Sequence, residues 1–174
     1  MIGNASAIIR FLTESAQMMH PEVVWEIKKH KEKRTLTQNS YYWVLQAKVA
    51  KALKVSTSRL HNLLLRDCGY PMVIGGRIAY ITIPDTDEAE NEALEAVTYH
   101  IKPTSGTTEG NNGTRYRIYM MLKGSHEMDT AEFSHLVDLL VEEARHVGIE
   151  TIPDEELARL KAMAEKKDEK RTAN

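Results

Sequence analysis

The chain has a single cysteine, Cys68, among its 174 residues. One thiol excludes an intramolecular disulfide and a cysteine-based zinc site. Long apolar runs are missing as well, since no stretch reaches the roughly 20 residues that a membrane-spanning helix needs. Residues 1–6 lack the charged region and the apolar segment of a secretory signal. These absences predict a cytoplasmic protein of a reducing compartment with no membrane partner.

The sequence also lacks the motifs of the common enzyme classes. None of its seven histidines belongs to a His-Glu-x-x-His motif, and Ser125-His126 has no nucleophile elbow around it. The pair Gly75-Gly76 lacks the Lys and Ser/Thr of a phosphate-binding loop. We therefore predict no enzyme, no metal and no cofactor. A metal-dependent nuclease built from acids and histidines between His126 and Glu142 stays open as an alternative.

Charge is distributed unevenly along the chain, although the net charge is only −2. Residues 1–84 contain 12 Lys/Arg and 5 Asp/Glu, whereas residues 85–174 contain 11 and 20. Such a dipole can orient a protein on a polyanion, or can hold two subunits or lobes together. We predict one domain over residues 1–164, or two intertwined lobes (basic 1–84, acidic 85–164), followed by a charged tail at 165–174.

Hydrophobic periodicity predicts an α+β fold, with a small antiparallel sheet, several helices and a long amphipathic helix near the C-terminus. Helices are predicted over 5–17 and 85–95, and after helix-start residues at 35, 56, 129 and 151. Strands are predicted at 22–29, 72–83 and 114–123, with Gly75-Gly76 as a hairpin turn. The stretch 102–113, rich in Gly, Thr, Ser and Asn, is predicted to be a mobile loop.

The run from Lys28 to Trp43 joins five basic residues to three consecutive aromatic residues. Lys and Arg neutralise phosphates and rings stack on unpaired bases, so this composition favours a nucleic-acid surface. A structural interpretation stays open. In it, Thr35 and Gln38 form a capping box that starts a helix, and the aromatic side chains are partly core.

A second candidate surface is the segment Arg115–Tyr119. Period-two geometry places Arg115, Arg117 and Tyr119 on one face of a strand, where guanidinium groups hold phosphate and a ring stacks on a base. The alternative is an exposed sheet face whose Arg and Tyr side chains only cover the core. The residues considered for stacking are Tyr41, Trp43, Tyr116 and Tyr119.

Two blocks of the sequence resemble a known family. The segment from Arg34 to Trp43 resembles the Arg-Ser-Leu-x-Gln-Asn segment, followed by an aromatic residue, of the phage recombination proteins called NinB or Orf. The helix start at 127–133 and the segment 153–157 follow in the same order as in that family and in related phage proteins described as possible nucleases. The resemblance spans about residues 20–160, and residues 67–113 do not match it.

The resemblance implies a homodimeric recombination mediator that binds single-stranded or gapped DNA in a bacterial host. Its expected partners are the host single-strand binding protein and a phage annealing protein. Some phage relatives carry a His-Asn-His nuclease module with cysteine pairs, which this chain lacks. A pure protein-interaction module remains a further alternative. The predicted DNA-binding residues are Lys28, Lys29, Lys31, Lys33, Arg34, Gln38, Asn39, Trp43, Arg115, Arg117 and Tyr119.

Overall fold

The computed structural model describes residues 36–111 and 113–172, together with the isolated helical residues Ser6, Ile9, Arg10 and Thr13. Within this part of the chain, five helices and two small antiparallel sheets form an α+β fold, which confirms the predicted class. The strand predicted at 22–29 lies outside the described residues. The helices are α1 (Leu36–Leu53), α2 (Thr57–Cys68), α3 (Asp87–Glu95), α4 (Thr130–His146) and α5 (Asp154–Thr172).

Helix boundaries follow from capping residues that the sequence shows directly. The side chain of Ser56 accepts a hydrogen bond from the backbone N of Arg59 (2.9 Å) at the start of α2. Asp129 and Glu132 form a reciprocal capping box at the start of α4. Gly69 ends α2 with φ +68°, a left-handed conformation that glycine adopts without a steric penalty. These bonds satisfy backbone groups that a helix end would otherwise leave unpaired.

The strands form a hairpin and a three-stranded sheet. The hairpin pairs β1 (Val73–Ile74) with β2 (Arg77–Ile78) around Gly75-Gly76, whose φ angles are +58° and +78°. The larger sheet has the order β3-β5-β4, with β3 (Tyr80–Pro84), β4 (Ile101–Glu109) and β5 (Arg115–Met121) all antiparallel. The central strand is therefore β5, which carries the predicted Arg–Tyr face.

Strand β4 corrects the prediction of a mobile loop at 102–113. The composition suggested a loop because Thr, Ser and Gly are common in turns, but most of this stretch pairs with β5. The register shifts between Pro103 and Thr107. There the Thr104 hydroxyl donates to the backbone O of Ile118 (2.7 Å) and accepts from the backbone N of Gly106 (3.1 Å). Side-chain hydrogen bonds thus replace ladder bonds at the irregularity.

The helices share one large core, and the sheet has a smaller one. Helices α1, α2, α4 and α5 all contribute buried residues to the larger cluster, including Tyr42, Leu64, Phe133 and Leu157. The smaller cluster consists of Ala93, Ile101 and Tyr119 between α3 and the sheet. Because α1 and α2 come from the basic half and α4 from the acidic half, residues of both halves build the larger cluster.

The C-terminal ends of α1 and α5 contribute no residue to the larger core cluster. The apolar stripe of α1 is buried at Tyr42, Leu45 and Val49 but is exposed at Ala52 and Leu53. Helix α5 continues through Thr172, so residues 165–172 of the predicted charged tail are helical. Among the helices of the described residues, none combines the length and the apolar character needed to cross a membrane.

Candidate functional site

The exposed side of helix α1 combines an aromatic ring with positive charge. Trp43, Ala47 and Lys51 are exposed along this side at steps of four residues, and Lys48 is exposed about 140° around the helix from Trp43. Trp43 is 40% exposed, and its Nε1 donates to Asn39 Oδ1 at 3.1 Å, which orients the indole on the helix surface. The sequence of α1 contains no Asp or Glu. We call this surface the α1 face.

The residues of the family-like block divide between this face and the core. Gln38 is 1% exposed, and its Nε2 donates to Ser134 Oγ at 2.9 Å, so the side chain connects α1 to α4. Tyr42 is fully buried. Only Asn39 and Trp43 of the predicted site residues in this helix therefore lie where DNA could contact them. The predicted phosphate contacts Lys28, Lys29, Lys31, Lys33 and Arg34 lie outside the described residues.

The two predicted arginines of β5 share one acidic partner. Asp85 Oδ2 lies 3.1 Å from Arg115 Nε, and its Oδ1 lies 2.8 Å from Arg117 Nε. The Asp85 side chain is only 14% exposed, so its negative charge lies beneath both guanidinium groups. Period-two geometry therefore brings the arginines together as predicted, but a carboxylate offsets part of their positive charge.

Tyr119 does not share the exposure of these arginines. Its side chain is 1% exposed, and its hydroxyl donates to Glu90 Oε2 at 3.3 Å. Burial, followed by the neighbouring Glu90 carboxylate, raises the pKa of Tyr119 above its usual value. Helix α3 covers this end of the sheet face, which leaves no open ring surface for a base. The expected stacking role of Tyr119 is corrected: the ring belongs to the smaller core.

A cavity of about 380 Å³ opens beside the α1 face. Ligand pockets in proteins typically start at roughly 300 Å³, so the space is large enough for a small planar group. Four segments line it: α1, the start of α2, the connection before β4 and the connection before α4. The lining residues are Trp43, Gln46, Ala47, Thr57, Ser58, His61, Ala96, Val97, His100, Ser125 and His126.

Asn62 fixes the hydrogen position on the cavity residue His100. The Asn62 Nδ2 donates to the backbone O of Leu94 and of Ala96, each at 2.8 Å. Its Oδ1 is therefore an acceptor, and it lies 2.6 Å from His100 Nδ1. An acceptor requires a hydrogen on Nδ1, which leaves Nε2 of the neutral His100 ring without one. His100 thus offers a hydrogen-bond acceptor at Nε2.

Tyr42 assigns the opposite tautomer to His61. The Tyr42 hydroxyl lies 2.7 Å from His61 Nδ1, and burial raises its pKa so that it keeps its hydrogen. If this hydrogen had no acceptor, the buried hydroxyl would cost about 1–3 kcal/mol. Donation to Nδ1 avoids the penalty and leaves the hydrogen of the neutral His61 ring on Nε2. His61 therefore offers a donor where His100 offers an acceptor.

Both rings are uncharged at neutral pH. Burial, and then the neighbouring His100, lower the pKa of His61 from 6.5 to about 4. Burial and the neighbouring His126 also lower the pKa of His100. The rings of His61 and His100 meet edge to face with centroids 5.6 Å apart. Gly124 leaves room for His126, since a Cβ there would lie 2.9 Å from the His126 ring.

The described residues contain no group of three or more His, Cys, Asp and Glu side chains placed to hold a metal ion. Acids considered for a nuclease have structural partners. Asp138 pairs with Lys161 of α5, and Glu132 pairs with Lys123. Asp129 and Glu132 also form the capping box of α4.

The sequence interpretation missed the lysines of the α1 face and the histidines of the cavity. The spacing of Trp43, Ala47 and Lys51 at steps of four residues was available as a signal for Lys51. His61, His100 and His126 come from separate elements, and no local motif joins them.

Comparisons with protein-family models, curated proteins and solved structures return no match for this chain.

Proposed function

We propose that this protein binds single-stranded or gapped DNA without sequence preference, as a phage-type recombination accessory protein. The observation that carries the proposal is the α1 face, where a partly exposed indole lies on a helix with exposed lysines and no carboxylate. Non-specific binders of single strands combine these two elements, since cations follow the phosphates and rings stack on bases. The basic residues at 28–34 immediately precede this helix and extend its positive charge in sequence.

The recombination role rests on the resemblance of the segment from Arg34 to Trp43 to NinB or Orf proteins. In that role the protein acts as a homodimer in the cytoplasm of a bacterial host. Its partners are the host single-strand binding protein and a phage annealing protein. No catalytic step is required, because a mediator changes which protein occupies the strand.

We expect the salt dependence of DNA binding to report the phosphate contacts. Each contact on a single strand contributes about 0.7 to the slope of log affinity against log salt. The combined substitutions Lys31→Ala, Lys33→Ala and Arg34→Ala should flatten that slope by about two units. Lys48→Ala with Lys51→Ala should flatten it by about 1.4 units. Fluorescence anisotropy with a labelled oligonucleotide at several salt concentrations measures both.

Arg159→Ala with Lys166→Ala is the matched control, since it removes two exposed positive charges from α5. This control should lower affinity slightly through net charge and leave the slope unchanged. If the combined substitution at 31, 33 and 34 left the salt slope unchanged, that segment would not contact DNA. If no strand bound even at low salt, the proposed function would be wrong.

The substitution Asp85→Asn tests whether the β5 arginines contact DNA. Asp85 bridges Arg115 and Arg117, so its neutralisation should release positive charge toward a phosphate backbone. We expect tighter binding, with a slope steeper by about 0.7 for each arginine that gains a phosphate. Glu92→Gln on the exposed side of α3 is the charge-matched control. Equal affinities of the two variants would place the arginines outside the DNA surface.

A further inference from the structure

The cavity beside Trp43 has the chemistry of a site for a flat, uncharged ligand. Its mouth carries the partly exposed indole of Trp43, whose centroid lies 5.3 Å from that of the His61 ring. The two rings are therefore in contact with each other, and a further ring can stack only on the part of the indole surface that is exposed. The histidines are neutral at neutral pH, so they offer hydrogen bonds rather than charge to whatever enters.

The two histidines present complementary polar atoms. Among the described residues, Nδ1 of His61 and of His100 is occupied by Tyr42 and Asn62, while Nε2 of each ring makes no hydrogen bond within the protein. The tautomers derived above make the His61 Nε2 a donor and the His100 Nε2 an acceptor. A ligand with neighbouring donor and acceptor atoms can pair with both.

We propose that this cavity receives one unpaired nucleobase of a bound DNA strand, stacked on Trp43 with its Watson–Crick edge toward His61 and His100. Nucleobases present a flat ring for stacking and a donor beside an acceptor on that edge. Proteins that hold an unpaired base use this combination of stacking and edge hydrogen bonds. The inference rests on the proposed single-strand binding and assigns one specific contact within it. An inorganic phosphate fits less well, because two neutral rings provide no positive charge.

DNA strands with and without bases distinguish the nucleobase contact from binding of the phosphate backbone. A 12-nucleotide thymidine strand and an abasic strand of equal length carry the same phosphates, so phosphate contacts treat them alike. The full chain should bind the thymidine strand about tenfold more tightly, since stacking of one base contributes a free energy of that order. Equal affinity for the two strands would overturn the nucleobase site while leaving the proposed DNA binding intact.

Tryptophan fluorescence reports the stacking itself. The chain has two tryptophans, Trp25 and Trp43, so the full chain with Trp25→Phe carries Trp43 alone. The thymidine strand should quench this emission and the abasic strand should not. Quenching by both strands, or by neither, would overturn the proposal. A uridine RNA strand is the competing ligand, and stronger quenching by RNA would overturn the assignment to DNA.

Substitution of the indole distinguishes the two proposals from each other. In Trp43→Ala the ratio of the affinities for the thymidine and abasic strands should fall from about ten to about one. The salt slope should not change, because stacking releases no counterions. Val44→Ala is the matched control, since Val44 is 59% exposed on the same turn and does not line the cavity. Failure of all strands to bind would overturn both proposals. A preference retained in Trp43→Ala would overturn only the cavity assignment.

Discussion

Phe133→Ala is expected to lower the free energy of unfolding by about 3–5 kcal/mol, the usual cost of removing a fully buried phenyl ring. Phe133 is 0% exposed and lies in the larger core, where its ring centroid is 5.3 Å from that of Tyr42. Truncation removes buried apolar surface and leaves a cavity between α1 and α4. Urea unfolding followed by circular dichroism measures the change as a shift of the midpoint.

Leu63→Ala is the control for this substitution, because Leu63 is on the neighbouring helix α2 but 39% exposed. The loss of unfolding free energy in Leu63→Ala should be much smaller, since part of this side chain already contacts water. A loss below about 1 kcal/mol for Phe133→Ala would contradict the arrangement of the larger core. Because Tyr42 also holds His61, the variant should in addition weaken discrimination between the thymidine and abasic strands.

The free energy of unfolding is expected to fall by about 3 kcal/mol between pH 6.5 and pH 4 because of His61. In the unfolded chain this ring takes up a proton near its ordinary pKa of 6.5, whereas burial in the folded state lowers the pKa to about 4. Within this window the unfolded state binds more protons, so acid favours unfolding. From about one pH unit above 6.5 both states are neutral at this ring and the contribution is flat.

Urea midpoints measured from pH 7.5 to pH 4 test this dependence. His61→Gln removes the titration and keeps an acceptor that the Tyr42 hydroxyl can use, so its stability should vary less with pH in that window. The remaining slope contains His100, whose pKa is also lowered. Equal pH dependence of His61→Gln and the unsubstituted chain would show that the His61 ring titrates alike in both states.

Local signals in the sequence predicted most helix starts and one turn. Ser56, Asp129 and Gly69 act within a few residues of their own position, so their roles can be inferred without knowing the fold. The same holds for Gly75-Gly76, where a two-residue turn requires positive φ. Strand β4 was missed because its Thr- and Gly-rich composition is typical of loops, and only pairing with β5 stabilises it as a strand.

The site was less predictable because it depends on contacts between distant segments. The burial of Tyr119 follows from the packing of α3 against the sheet, which period-two geometry alone does not include. The neutralising position of Asp85 depends on strand pairing in the same way. In the cavity, Asn62 follows His61 on α2 and hydrogen-bonds to His100. Its amide also donates to two backbone carbonyl groups at the end of α3. No sequence spacing encodes that arrangement.

The hydrogen bonds of Asn62 have a consequence for the wall of the cavity that carries His100. Trp43 and His61 stand on α1 and α2, which belong to a described core cluster of sixteen buried residues, whereas the wall with Val97 and His100 adjoins a described cluster of three. Protein segments with little buried apolar surface open locally at lower free energy than the whole domain. Asn62 binds this wall at Leu94, Ala96 and His100. Arg66 and Lys102 add hydrogen bonds between α2 and β4, at 2.8 Å to the backbone O of Ile101 and at 2.7 Å to the backbone O of Arg66. Polar contacts from α2, rather than a large apolar core, therefore hold this wall of the cavity in place.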